Sequence, residues 1–483
     1  MERTLLMIVC LSAVACAPTD DGNDIVLSGD NATITLGLRN PTVDADPTVG
    51  IDTLQVDVVV DGEIVVTDTF DWPDGSATIE GIEEYGVVRF QVAGTDGSTV
   101  RSLGRSAPVV LGPGEDLWVP ITFLPVNRVF ALTTTMTEQR SEHAVVPLPD
   151  GRVLLAGGID ANRRSSLDSL ETFDPVELVF SAPSAYFDES VASPAVAWTG
   201  DDQVLFLGGA HTRNETTSSS GVWRYDPVAE ALESVATLAS ARRNHCAAQF
   251  LPNSILILGG PDTGTSGDIL RYYTDTASWT STPVALHGGL SSEDTQTCGV
   301  AGDGTIFVAG ISPDTTGILD PFSGQGVGDT FESITPGAAG TFVSHPLLVP
   351  LDDVTFWLGG GIDLDRSTVT SAGQEFRMEA AGFVSGTPLA TPRQGASWAP
   401  WIEAGWIVVA GGYADVAGDN AVNKLELLSP ATGAKGPTVD LDRARPGCRV
   451  ATLPDGSLLI TGGYDSSTAG DAASAAIMVP YLE

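Results

Sequence analysis

Lysine is almost missing from this chain. Lys424 and Lys435 are its only two, in 483 residues with a formal net charge of -39. A protein that grips a phosphate backbone needs a basic footprint to release counterions, so nucleic acid is excluded as a partner. Long apolar runs are also lacking. The longest N-terminal one, Leu5 to Val14, is too short to span a bilayer as a helix. Cysteine is sparse: beyond Cys10 and Cys16 there are Cys246, Cys298 and Cys448, an odd number in apolar context, read as buried free thiols in preference to a bridge. No helical period occurs, and Gly-x-Ser-x-Gly, His-Glu-x-x-His, sialidase-type Asp boxes and the spaced carboxylates of an EF-hand are all missing.

What is present begins with an export signal over residues 1–15. Arg3 supplies the positive charge, Leu5 to Val14 the apolar run, and Ala13-Val14-Ala15 a small-residue cleavage site before Cys16. A cysteine at that point resembles a bacterial lipobox, although Ala13 stands where a larger aliphatic residue is usual. The resemblance implies lipidation at Cys16, attachment to a membrane through acyl chains only, and an outer-membrane location; ordinary cleavage would instead give a secreted protein. Residues 16–23 are short and polar, a tether. Residues 24–125 alternate as strands do, with a hairpin turn at Asp61-Gly62, and predict a β-sandwich of immunoglobulin-like type.

Residues 126–483 repeat. Gly157-Gly158, Gly208-Gly209, Gly259-Gly260, Gly359-Gly360, Gly411-Gly412 and Gly462-Gly463 recur at near-constant spacing, with Ala309-Gly310 as a worn seventh. Each pair follows an apolar strand such as Val153 to Ala156, itself preceded by a turn such as Pro149-Asp150-Gly151. Continuous apolar runs suit strands buried on both faces, and paired glycines suit close backbone approach. Phe173-Asp174-Pro175 and Tyr225-Asp226-Pro227 end a third strand, and Phe180, Leu232, Trp279, Phe331 and Phe383 mark a fourth. The same mark appears early, at Phe130, while the last repeat has room for only three strands.

In these columns the array resembles the kelch repeat, the propeller type also found in galactose oxidase. That resemblance implies an all-β fold: a seven-bladed kelch-like β-propeller after the sandwich, its last blade completed by the strand near Phe130. It also implies a rigid platform whose loops carry recognition. Galactose oxidase chemistry needs two histidines, two tyrosines and a tyrosine–cysteine link, and no such set converges here, so no cofactor is expected. His143, His245, His345 and Cys448 share a column, but on repeats that are not neighbours. They are read as strand-start packing, with no metal.

The loops after the glycine pairs are rich in aspartate, among them Asp160, Asp363 and Asp415. Arginines gather at the same end of the repeats: Arg140, Arg242, Arg243, Arg393, Arg443 and Arg445 in the connections, and Arg163, Arg164, Arg213 and Arg366 in the loops. Two readings stand beside each other. Arg–Asp pairs stitch neighbouring repeats together, or planar guanidiniums form a binding face for an acidic peptide or anionic glycan. The expectation is a non-catalytic exported envelope lipoprotein whose propeller binds an envelope or extracellular protein or a glycan. The alternative is a carbohydrate-active enzyme, mutarotase- or lyase-like, with its site at the channel mouth.

Overall fold

A computed structural model describes residues 24–28, 33–72, 86–111, 117–160, 165–211, 217–251, 254–260, 269–276, 278–282, 297–300, 306–309, 317–320, 330–333, 343–363, 365–378, 382–402, 405–463 and 474–482. Every regular element longer than one residue in these segments is a strand. The signal, Cys16 and the tether lie outside the described residues.

The first hundred residues make two sheets. One holds Asp24–Ser28, Thr33–Arg39 and Leu117–Thr122, the last two running parallel. The other is built on Glu63–Asp71, Thr53–Val60, Gly86–Asp96 and Thr99–Arg105. Asp61 and Gly62, both at positive φ, turn the chain between Val60 and Glu63 as an Asp-Gly hairpin should. Leu36 and Ile121 of the first sheet meet Val56, Val58 and Phe90 of the second in one core. Alternation puts these residues on the inner face, which is why the strands read as period two.

The described residues that follow form seven antiparallel sheets, numbered 1 to 7, six of four strands and sheet 1 of five, besides a small three-stranded sheet of Val343–Ser344, Ile362–Asp363 and Thr368–Val369. Their first strands are Ala144–Pro147, Ala195–Trp198, Cys246–Leu251, Thr297–Val300, Leu347–Pro350, Ser397–Pro400 and Arg449–Thr452. The second strands are the apolar runs, for example Val153–Ala156, Val204–Leu207 and Leu458–Thr461, each buried along its whole length. Such strands need apolar cover on both faces, and a neighbouring sheet on either side supplies it. Val146 and Leu154 of sheet 1 pack on Phe206 and Trp223 of sheet 2. Leu205 and Val222 meet Ile255 and Ile257, and Ala248 and Leu256 meet Ile306 and Val308. Phe307 of sheet 4 stacks on Phe376 of sheet 5 with ring centroids 4.3 Å apart. Trp357 meets Val409 and Leu428, and Val408 and Leu427 meet Ile460 and Met478. Leu459 and Ile477 of sheet 7 then share a core with Leu155 and Phe173 of sheet 1.

Sheet 7 takes its fourth strand from far upstream. Val129–Thr135 pairs antiparallel with Ser474–Met478, placing Phe130 opposite Ile477. Third strands end on aspartates that turn the chain: Asp174 Oδ1 accepts the N–H groups of Val176 and Glu177, and Asp226 Oδ1 those of Val228 and Ala229. The N-terminal unit is joined to the array by apolar packing of Ala93, Leu103 and Leu124 on Leu453 and Val479. Arg105 lies over the Trp401 ring at 5.8 Å, and Arg89 donates to the Pro454 carbonyl at 2.5 Å.

Two sequence expectations are corrected. Cys246 and Cys298 are not free thiols: their sulfurs are bonded, joining the first strands of sheets 3 and 4 with Cα atoms 5.9 Å apart. Corresponding positions on neighbouring first strands lie at bridging distance, which a reading by columns alone does not convey. Among the described residues, Cys448 remains as a buried free thiol. In the fifth repeat the glycine pair is Gly360-Gly361, not Gly359-Gly360. Gly359 sits inside its strand opposite Gly373, while Gly360 and Gly361 carry φ of 68° and 90°.

Candidate functional site

The arginine column is the first feature to place. Arg140 and Arg445 are fully buried, Arg393 is 1% exposed and Arg242 2%. Each points its Nη1 at the carbonyl of the first glycine of its own sheet: Arg140 to Gly157 at 2.8 Å, Arg242 to Gly259 at 2.7 Å, Arg393 to Gly411 at 2.9 Å, and Arg445 to Gly462 at 2.8 Å. Three of them also bond a third-strand carbonyl, that of Ser169, Lys424 or Ser474. Buried guanidiniums need counter-charges. Glu171 stands 2.8 Å from Arg140, Glu426 2.7 Å from Arg393, and Asp442 2.7 Å from Arg445. Burial pulls the Arg140 and Arg393 guanidiniums below their usual range, and Glu171 and Glu426 respectively oppose it.

The glycines explain the rest of this seam. The second glycine of a pair donates its N–H to a backbone carbonyl at the start of the next sheet: Gly158 to Val191 at 2.9 Å, Gly209 to Arg242 at 2.9 Å, Gly361 to Arg393 at 2.8 Å, and Gly463 of sheet 7 to Arg140 of sheet 1 at 3.2 Å. A Cβ on Gly462 would come within 2.1 Å of the Arg140 oxygen, and one on Gly157 within 2.3 Å of Val191 O. With φ of 64° and 59° as well, no other residue fits either place.

Arg140, Arg242, Arg393 and Arg445 therefore hold strands within a sheet and do not form a ligand face. Arg243 is also buried, 8% exposed, but its Nη1 reaches Ser218 Oγ of the preceding repeat at 3.4 Å. The stitching differs from the expected Arg–Asp pairs between repeats. The guanidinium works inside its own sheet, and the backbone carbonyl of the same arginine reaches the neighbour. Arg443 is half-buried. Arg366 does face solvent, its side chain 75% exposed and ion-paired with Asp363 at 2.9 Å. Arg163, Arg164 and Arg213 lie outside the described residues. Loop aspartates organise their own loops: Asp415 accepts the N–H groups of Asp419 and Asn420, and such backbone bonds, that of Asp419 foremost, pull its carboxyl below the usual range.

The histidine column is divided among separate seams. His143 is buried on sheet 1, its Nε2 2.8 Å from Thr461 Oγ1 of sheet 7. His245 of sheet 3 packs against Gly208 of sheet 2, and Cys448 against Gly411 of sheet 6, each filling the space a glycine leaves. His345 is half-buried at positive φ. Among the described residues no three His, Cys, Asp or Glu gather as a metal would require. Burial, with Arg242 adding to it, pushes the His245 pKa down to about 3 against a backbone bond to Leu207; burial, Arg140 and Arg449 push His143 well below its usual value. Burial also raises the Cys448 thiol, so it stays protonated at neutral pH.

A concave site remains, and the sequence reading missed it. The first strands of sheets 1, 2, 6 and 7 enclose a cavity of about 270 Å³ lined by His143, Ser193, Ser397, Trp398 and Arg449. It adjoins a second of about 460 Å³ lined by Pro147, Trp398, Trp401, Ile402 and Thr452. Arg449 lies one residue past the Cys448 column, and first-strand alternation turns it the other way. That offset was the available signal. No protein-family model matches this chain, and no curated protein is similar to it.

Two outcomes follow from the buried charges. Arg393→Ala leaves Glu426 buried without a counter-charge and costs about 3–5 kcal/mol of unfolding free energy in urea; pairing Arg393→Met with Glu426→Gln restores more than half of that loss. His245 is neutral when folded and titrates near 6.5 when unfolded. Its contribution is complete above pH 6.5 and is lost as pH falls toward about 3, at about 1.4 kcal/mol per pH unit. The urea stability of His245→Gln falls less steeply than wild type over that window; parallel pH profiles contradict the assignment.

Proposed function

We propose that residues 126–483 form a seven-bladed kelch-like β-propeller, and that the protein is a non-catalytic binding scaffold exported to the cell envelope. Seven consecutive antiparallel sheets of four or five strands, with the seventh packed on the first, support the propeller. Completion of sheet 7 by Val129–Thr135 supports a ring locked by joining the two ends of the array, since it pairs the edge that Ser474–Met478 would otherwise leave open. The Cys246–Cys298 bridge fits export, because such bonds persist outside the reducing cytosol. On this reading Cys16 carries the lipid and residues 16–23 are the tether. The partner is an envelope or extracellular protein or a glycan.

The observation that carries a binding role is how the buried polar residues are used. The arginines of the connections, the glutamates that pair with them and His143 are fixed in intersheet and intrasheet bonds. The described lining of the cavity offers an arginine, a histidine, two serines, a threonine and tryptophans, and no carboxylate. A carbohydrate-active enzyme would call for convergent carboxylates there. Recognition then falls to the segments that follow the glycine pairs, where the sequence carries Arg366, Arg163, Arg164 and Arg213.

The test is retention of envelope proteins and of an anionic glycan array by the purified full-length protein. Replacing Arg163, Arg164, Arg213 and Arg366 together by serine lowers retention at least tenfold with the unfolding midpoint unchanged. Undiminished retention rejects the loop face.

A further inference from the structure

Arg449 differs from the other arginines built into this molecule. Arg140, Arg393 and Arg445 each meet a carboxylate, and Arg39 and Arg89 lie in the field of Asp455. Arg449 is half-buried, and among the described residues no carboxylate pairs with it. Its Nε donates to the His143 carbonyl at 3.0 Å and its Nη1 to the Cys448 carbonyl at 3.2 Å. Those two oxygens fix the plane of the guanidinium. They leave Nη2 and one hydrogen of Nη1, the fork that takes a carboxylate end-on. In a protein with a formal charge of -39, carboxylates are plentiful, yet this half-buried cation forms an ion pair with none among the described residues, and its bonds go to carbonyls.

The surroundings set what would complete it. The polar lobe of the cavity, with Arg449, Ser193 and Ser397, shares Val145, Trp398 and Val450 with the larger lobe. The larger lobe is lined mainly by Pro147, Pro400, Trp401 and Ile402. A fixed cation at one end and an apolar, aromatic wall at the other is a complementary surface for an amphipathic anion. The larger lobe, about 460 Å³, lies in the range of small-molecule sites, and the polar lobe, about 270 Å³, falls just below it.

We propose that this cavity binds a monocarboxylate with an apolar body, its carboxylate on the Nη1–Nη2 edge of Arg449 and its apolar body along Trp398 toward Trp401. Only one charge is matched by the site. The rest of the protein repels anions, and that repulsion from distant carboxylates is screened over about 10 Å at 0.1 M salt. A ligand with several charges gains nothing from the apolar lobe. The site stands on the first strands and not on the loops, so it is independent of the loop-face reading, and either can fail alone.

The probes are butanoate, hexanoate and octanoate, with acetate and octan-1-ol as controls, titrated calorimetrically into the full-length protein. Affinity rises about three- to fourfold per added methylene, the increment of burying one CH₂. Arg449→Gln weakens octanoate at least tenfold and leaves octan-1-ol within twofold. Val145→Trp fills the wall common to both lobes while keeping Arg449, and abolishes binding of octanoate and octan-1-ol alike. It also carries the test if Arg449→Gln fails to fold. No octanoate binding at millimolar concentration overturns the proposal. So does equal affinity for acetate and octanoate, or octanoate binding that survives Val145→Trp in a folded protein.

Discussion

The seam between one sheet and the next depends on a pair of glycines. Their N–H groups and their lack of a Cβ let a backbone carbonyl from the following sheet approach as closely as Arg140 O approaches Gly462. The first glycine's carbonyl meanwhile receives a buried guanidinium from its own sheet. One arginine therefore acts twice, through its side chain within a sheet and through its main chain toward the preceding one. Buried backbone groups must be paired, and this device pairs them where strands end and no ladder continues. Sheets packed by apolar faces alone would slide; directional bonds at the seam fix their spacing.

The same device accounts for an odd feature of the composition. A strongly acidic chain places several of its scarce cations where no solvent reaches them. Arg140, Arg393 and Arg445 each meet an acid, Glu171, Glu426 and Asp442 respectively, and their remaining N–H groups meet carbonyl acceptors. Pairs of this kind add specificity of arrangement more than net stability. Lysine, with a single flexible ammonium, cannot span the glycine carbonyl, a third-strand carbonyl and a carboxylate together, which fits its rarity.

Much of the fold was legible because the repeat imposes one physical problem many times. Val153–Ala156 and its equivalents read as doubly buried strands, and they are. Phe130 carried the mark of a fourth strand with no sheet of its own nearby, and it lies opposite Ile477. The candidate site was less legible. Arg140 and Arg242, in the connections, admitted both stitching and a binding face because a column of charge next to aspartate-rich loops has the same pattern whether it faces water or carbonyls. Gly359 was misplaced by one position because three glycines in a row leave the pair undefined until φ is known. The Cys246–Cys298 bond depends on first strands of adjacent sheets lying side by side, a distance that spacing along the chain does not contain. Arg449 and Trp398 meet across sheets 6 and 7, so no local pattern joins them.

The account turns on the joining of the two ends of the array, and Ala131 and Ala476, directly opposite in that pairing, give the means to test it. Cysteines at both positions, in otherwise unaltered full-length protein, are at the separation an antiparallel pair allows for a disulfide. Peptide mapping by mass spectrometry after mild oxidation is predicted to find them linked in nearly every molecule, with a raised urea midpoint. Two free thiols at 131 and 476 in protein that is folded would contradict the closure, and with it the ring of seven sheets.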